Sequence, residues 1–340
     1  MSGESVTMAH GGGGLAMREL VDEVFLAAFG RPSTGPLEDQ ARLDLAALAR
    51  HGDRLAFTTD SFVVSPLVFP GGDIGTLAVC GTINDLAVGG AVPLFLSCSV
   101  ILEEGLPLAL LRAIAGSMAA CARAAGVAIV TGDTKVVERG ACDRMFITTS
   151  GIGVIRAGLQ LGCERAQPGD VVIVSGTLGD HGATILAARG QLGLDAPLVS
   201  DCAPLHELIG VLLDAAPHTR LLRDATRGGL AAVLHEVALA SGVEIELREA
   251  DLPVLPAVQG VCELLGLDPL DLANEGKLAA VVPADEVVPA LAAMRAHPYG
   301  RAAAAIGRVS AGPGRVVMRS VLGGRRLVDL PVGEPLPRIC

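Results

Sequence analysis

Six carboxylates sit beside glycines or at the ends of apolar runs that read as strands: Asp39 in LEDQARLD, Asp60 in TTDS, Asp85 in TIND, Asp133 in TGDTK, Asp224 in RDATRGG and Glu275 in ANEGK. A carboxylate at a strand end is held rigidly while its head group stays accessible. Magnesium, a hard cation, takes such oxygens together with nucleotide phosphates. Any one of these acids taken alone is more often a helix or turn cap. Lys135 follows Asp133 on the same expected strand, so both side chains point to one face. Arg227 lies in a glycine-flanked turn before a helix, where main-chain N–H groups and a guanidinium both meet phosphate. The alternative is a surface ion pair of little energetic value.

Cys340 is the last residue, after the proline-spaced run PVGEPLPRI. A thiol on such an arm can swing, and as the thiolate it accepts acyl-type groups, with Arg338 easing ionisation weakly. The competing reading is a chain end without a role. A prenylation box is excluded, because three residues would have to follow the cysteine.

Several familiar chemistries lack their motifs. GxxxxGK[ST] occurs nowhere, and the GGGG run at 11–14 has neither a preceding strand nor a following lysine, so it reads as a tether. No GxGxxG follows a strand, and no GxSxG elbow is present. The eight cysteines include no CxxC pair or zinc spacing and read mainly as small buried hydrophobes. A net charge of -11 and 2% aromatics give neither a basic face nor stacking platforms, which argues against nucleic acid as a partner. The apolar stretch from Leu106 to Ala125 is broken by Arg112, Ser117 and Arg123, and the N-terminus has no signal-peptide pattern. The expected location is the cytoplasm, with no membrane association.

The elements that must position these residues alternate. LAFTTDSFVV reads as a strand, IGTLAVCGTINDLAVGG as a helix, PLFLSCSVIL as a strand and 107–126 as a long helix, followed by strands AIVTGDTKVV and RMFITTSGIGVI. QPGD at 167–170 is a turn at a boundary. Beyond it come strand DVVIVSG, the turn LGDHG opening a helix, helix GGLAAVLHEVALAS, strand EIELRE, helix VLPAVQGVCELLG, strand KLAAVV and helix ADEVVPALAAMRA. The expected class is α/β, of α+β type, as two α/β modules each with its own core. The divisions are a flexible glycine-rich segment with a helix at 1–35, an N-terminal domain at 36–160, a C-terminal domain at 161–330 and a mobile arm at 331–340.

From about Ala9 to the end, FTTDSFVV, FPGGDIGTLAVCGTINDLAVGGA, ILEEGLP, AIVTGDTKVVERG, SGTLGDHGATIL, LRDATRGGL, ANEGKL and LPRIC resemble, in order, the HypE family of hydrogenase maturation proteins. That family lies within the superfamily of aminoimidazole ribonucleotide synthetase and selenophosphate synthetase. The resemblance implies an N-terminal domain that forms a homodimer through its sheet, and an ATP and Mg2+ site between the domains. It implies that Cys340 receives a carbamoyl group from the carbamoyltransferase HypF. ATP-dependent dehydration then yields a thiocyanate, and the nitrile passes to iron on the HypC–HypD scaffold as a cyanide ligand of nickel–iron hydrogenase. Carried over by motif, Asp39, Asp85 and Asp224 are magnesium ligands, with Asp60, Asp85 and the Thr131–Gly132–Asp133 turn at the nucleotide. Lys135 and Glu275 bind and deprotonate the amide, either one being the base, and Arg227 steadies phosphate. The sequence has Leu37-Glu38-Asp39 where the wider superfamily often has Gly-Asp-Asp.

Two rival classes remain beside a structural subunit with an incidental tail, which the ordered motif set makes remote. A selenophosphate synthetase needs a reactive Cys or Lys near the N-terminus, whereas no Cys precedes Cys80 and Lys135 is the first lysine. A non-enzymatic carrier would use Cys340 for delivery alone.

Overall fold

The computed structural model describes residues 4–30, 38–190, 197–330 and 338–340. The expected arm at 331–337 and Leu37 of the superfamily turn lie outside these residues.

The first half builds a four-stranded sheet from β1 (Arg54–Phe62), β2 (Ala91–Glu103), β3 (Ala128–Val137) and β4 (Met145–Ile155), in the order β1-β4-β2-β3. Only β2 and β3 are parallel, and the helix between them, α2 (Leu108–Ala124), makes the crossover that a parallel pair requires. Alternation along β1 and β2 puts Phe62, Leu96, Cys98 and Val100 inside, while Leu55, Phe57 and Ile101 stay exposed on the other face. Inside packs α1 (Ile74–Val88), started by Asp73, whose carboxylate accepts from the Thr76 N–H at 2.8 Å. Thirteen of its fifteen residues are buried, which is what a helix apolar on all sides demands.

The second half forms a seven-stranded sheet from β5 (Val171–Val174), β6 (Leu221–Asp224), β7 (Val243–Arg248), β8 (Leu278–Val282), β9 (Ala304–Ala311), β10 (Arg315–Arg319) and β11 (Arg325–Leu327). Its order is β11-β10-β7-β9-β5-β8-β6, antiparallel except for β7 with β10. Strand β8 is wholly buried. Its Ala279 and Val281 pack with Leu230 and Leu234 of α5 (Gly229–Ser241). Leu278, Ala280 and Val282 pack with Leu208 and Leu212 of α4 (His206–Ala215) and with Met294 of α7 (Val287–Ala296). The sequence reading assigned no element to α4.

The second half has an apolar cluster of its own around Leu230, Leu234 and Val281, but the largest cluster is shared: it joins α1 and the first sheet to Ala183 and Ile185 of α3 (Asp180–Ala188), to Val258 and Val261 of α6 (Pro256–Leu265), and to Ile339. The start of the N-terminal stretch, expected to be flexible, is docked. Ser5 bridges Pro107, Val6 is fully buried and its N–H donates to the Leu106 carbonyl at 2.8 Å. Val6 and a paired edge dock the residues before the glycine run, whereas Gly12–Gly14 are exposed.

Gly132 has a structural reason of its own. A β-carbon there would lie 2.1 Å from the Cys98 carbonyl oxygen on neighbouring β2. Gly132→Ala is therefore expected to destabilise by about 1–3 kcal/mol, as overpacking does. Urea unfolding with ATP absent would measure it, and unchanged stability would contradict the close approach of β3 to the Cys98 carbonyl.

Candidate active site at the domain junction

Two cavities meet where the halves touch. A cleft of about 830 Å³ runs along Phe57, Thr58, Asp85, Leu86, Leu161, Leu221, Leu222, Val233 and Asp224, a size and apolar-to-acidic lining suited to a nucleotide. A small pocket beside it is lined by Asp60, Ser61, Phe62, Gly81, Asp224, Thr226, Arg227, Glu275 and Cys340. Asp224, Thr226 and Arg227 form the wall common to both.

The acids at this junction come from three elements, Asp85 and Asp224 lining the cleft and Asp60 the small pocket. Asp85 is near the C-terminal end of α1 and accepts from the Thr58 hydroxyl at 2.9 Å. Asp224 ends β6, and Asp60 lies on β1, where it meets the Arg227 guanidinium at 3.5 Å. Burial pushes the Asp224 carboxyl up to about 7, with the Asp85 charge adding to the rise. Burial also raises Asp85, against the Thr58 hydrogen bond. Asp85 and Asp224 repel one another across the cleft, and among the described residues neither is paired with a basic side chain as Asp60 is with Arg227. Among the described residues no three His, Cys, Asp or Glu side chains already form a metal cluster. Two carboxylates completed by phosphate oxygens and water is the arrangement that magnesium commonly accepts.

Glu275 lies deeper. It is 2% exposed, and its Oε1 has no hydrogen-bond partner. Burial, then the charges of Asp201, Asp224 and Asp60, raise its carboxyl well above the ordinary glutamate value, while a hydrogen bond with the Cys340 thiol opposes the rise. Its main chain is fixed from both halves of the molecule. Asp201 accepts from the N–H groups of Glu275 and Gly276, both at 3.1 Å, and pairs with Lys277 at 3.1 Å. Asn84 of α1 donates to the Ala203 carbonyl at 3.1 Å and accepts from the Leu205 N–H at 2.7 Å. Asn274 accepts from the Gly179 N–H at 2.8 Å and donates to the Ala225 carbonyl at 2.9 Å. A β-carbon at Gly276 would sit 1.8 Å from the Asp201 carbonyl oxygen, so this turn closes only around glycine.

The closing tripeptide is docked against this frame. The Arg338 carbonyl accepts from Ser65 N–H at 3.3 Å and from Arg189 at 2.8 Å, and Ile339 is buried. Arg338 pairs with Asp143 rather than easing ionisation of the thiol. Burial, then the Glu275 charge, push the Cys340 thiol far up, so that in this pose it keeps its proton.

Of the sequence candidates, Asp60, Asp85, Asp224, Arg227, Glu275 and Cys340 line these cavities. Asp39 does not: it is exposed in the loop before Leu45–Leu48. Thr131, Gly132, Asp133 and Lys135 lie on edge strand β3 and line neither cavity. Lys135 and Asp133 do share a face, paired at 3.0 Å, but both are largely exposed, on the side of the sheet that shows Ile101. Sequence reasoning passed over Asn84, Asp201, Asn274 and Lys277. Three of these lie in TIND and ANEGK, the motifs of residues already singled out, but nothing in their spacing marks them apart from that neighbourhood.

Residues 38–155 match the N-terminal domain of AIR synthase related proteins and 167–319 match the C-terminal domain. The chain is 60% identical over 338 residues to carbamoyl dehydratase HypE of Rhodobacter capsulatus, covering 99% of this chain and 98% of that protein. A crystal structure of hydrogenase maturation protein HypE in complex with ATP superposes with a TM-score of 0.92 at 47% identity, covering 98% of this chain and 99% of the other. HypE in a HypE–HypF complex superposes with a TM-score of 0.80 at 48% identity, over 92% of this chain and 99% of that one.

Asp224→Asn tests the mutual repulsion of the acids. In nucleotide- and magnesium-free protein, folded Asp224 holds its proton up to about pH 7, against an ordinary value of 3.8. The native state therefore binds more protons in that window, and its contribution to stability falls as pH rises through it. Urea titrations across the window should show a flatter pH profile for the variant, and greater stability than the parent at the upper end. Parallel profiles would contradict the arrangement.

Proposed function

This chain belongs to the HypE family of carbamoyl dehydratases, and we propose from that premise that it uses ATP to dehydrate a carbamoyl group on its own Cys340 to a thiocyanate. The product supplies the cyanide ligand for the iron of nickel–iron hydrogenase. The observation that carries this reading is the wall shared by a nucleotide-sized cleft and the pocket that holds the Cys340 sulfur. A phosphoryl group at the acidic end of the first cavity is within reach of an oxygen carried in the second.

The chemistry follows from what each side chain can do. The carbamoyl oxygen is a poor leaving group until it takes the γ-phosphoryl group. Its C–O bond then breaks with phosphate leaving, the amide protons depart, and the carbon–nitrogen bond becomes triple. Positioning and charge neutralisation supply most of the help such a transfer needs. Arg227, on the shared wall, meets the phosphate charge. Asp85 and Asp224, facing one cleft and undercompensated, fit Mg2+ as ligands, with Asp60 on the phosphate side. A bound magnesium ion would neutralise charge on the transferring phosphoryl group. The carrier alternative gives no reason for a buried base with an empty acceptor next to the thiol.

The partners follow from the same reading. HypF loads the thiol, as the HypE–HypF complex among similar structures supports, and HypC–HypD receives the nitrile. The outer face of the first sheet, with Leu55 61% and Phe57 71% exposed, is the surface for a homodimer. Lys135 stands on that face, so a role for it at the carbamoyl group would be delivered by a partner copy. No helix among the described residues is long and apolar enough to cross a membrane.

Intact mass after incubation with HypF, carbamoyl phosphate and ATP tests the reading. The parent is expected to gain one carbamoyl group and then lose one water. Cys340→Ala gains nothing, and Glu275→Gln loads but dehydrates at least ~100-fold more slowly, the scale of a lost general base. A parent that loads and never loses water would establish the carrier instead.

A further inference from the structure

His181 has no part in the chemistry above, yet it is fully buried and touches the arm next to the reactive residue. Its Nε2 lies 2.7 Å from the Ile339 carbonyl and its Nδ1 lies 2.8 Å from Ser200 Oγ. The carbonyl can only accept, so Nε2 carries the proton, and in a neutral ring Nδ1 must then accept from the Ser200 hydroxyl. Ser200 Oγ takes in turn the Cys202 N–H at 3.2 Å, so every group in the chain of bonds is satisfied in one direction only. Burial lowers the His181 pKa and favours that neutral ring, which Phe69 meets edge-on at 5.5 Å.

We propose that His181 is the positioning residue of the docked arm, setting where the Cys340-borne group stands relative to Glu275; the inference rests on Cys340 being the carrier. The two residues are mounted on one frame. Ser200 holds the imidazole, while its neighbour Asp201 holds the N–H groups of Glu275 and Gly276. Lys277 Nζ pairs with Asp201 at 3.1 Å and lies 3.9 Å from Asp180, the residue before His181. Asn274, the residue before Glu275, caps Gly179 at the start of α3. The latch on residue 339 and the carboxyl at residue 275 therefore cannot shift independently. Undocking leaves a buried N–H without its acceptor, so the ring favours the docked arm over the free one.

The test uses the full chain. His181→Leu keeps the bulk and removes the donor, whereas His181→Gln can return an N–H near the position of Nε2. Alkylation of Cys340 by iodoacetamide, read on the C-terminal peptide by mass spectrometry, reports the undocked arm. Loss of this bond should speed Cys340 alkylation about 5–10-fold in His181→Leu, the population shift expected for one buried hydrogen bond. Dehydration of the loaded chain should slow by a similar factor, while loading by HypF is equal or faster, and His181→Gln should restore most of both. Ser200→Ala, which leaves the ring but frees its tautomer, should shift the same readouts less. Unchanged alkylation in His181→Leu would overturn the proposal, and so would loading and dehydration falling together with thermal stability. A parent that never dehydrates, alongside faster alkylation in His181→Leu, would refute the dehydratase reading and leave the latch standing.

Discussion

A carboxyl group buried with one oxygen unpartnered is unfavourable to hold, and the junction between the two domains is organised around holding Glu275 in that state. Left to itself, a turn carrying such a group would rotate it toward water. Here the turn has no freedom to do so. Asp201 takes its two N–H groups, Gly276 presses on the Asp201 backbone, and Asn84 ties the adjoining segment at Ala203 and Leu205 to α1. The strain is met by paired polar groups at the main chain, so that the side chain can remain incompletely satisfied. Such local frustration is what functional sites retain when the surrounding structure over-determines them.

Helix α1 explains why the two halves act as one unit. A helix buried nearly all round has no solvent face, and its two adjacent polar residues near the C-terminal end therefore meet different surroundings. Asn84 turns into the second domain and becomes a fully bonded strut, whereas Asp85 faces the cleft and remains a charge needing a partner. The apolar cluster that spans both halves does the same work on a larger scale, since moving the domains apart would expose Ala183, Val258 and Ile339 along with the inner face of the first sheet.

Much of this was legible in the residues. Strand and helix periodicity located nearly every element around the site, and the two carboxylates singled out in TIND and RDATRGG, Asp85 on a helix and Asp224 at a strand end, both line the cleft. Three features were hidden for physical reasons. The shared core depends on which apolar faces meet, and binary pattern shows only that a face is apolar. Docking of the N-terminal stretch rests on Val6, the buried His10 and main-chain bonds around Leu106, none of which rises above a run of glycines in the sequence. Asp39, Asp133 and Lys135 carry the right chemistry on elements that this chain does not bring to the cavities, because spacing along a chain says nothing of which sheet face or loop points inward. Asn84, Asp201 and Asn274 were missed for the opposite reason: a polar residue that satisfies main-chain groups has no spacing signature, and only the hydrogen bonds reveal it.

The docked pose also constrains the order of events in the proposed reaction. A nucleophilic cysteine must ionise, and burial beside the Glu275 carboxyl holds the Cys340 proton firmly in place. The pocket is thus unsuited to loading the thiol. A carbamoylated sulfur has no proton to lose and no charge to desolvate, so the same dryness that suppresses the free thiolate is no obstacle to the loaded arm. It also excludes water from an activated intermediate that water would destroy. Loading outside and dehydration inside therefore need opposite environments for one sulfur atom, and a carrier that docks and undocks meets both demands where a fixed one would fail. Deep burial of Ile339 with a single neutral hydrogen bond at its carbonyl is a grip of that kind. It is specific enough to place the group against Glu275, and weak enough to be released when the partner enzyme requires the thiol.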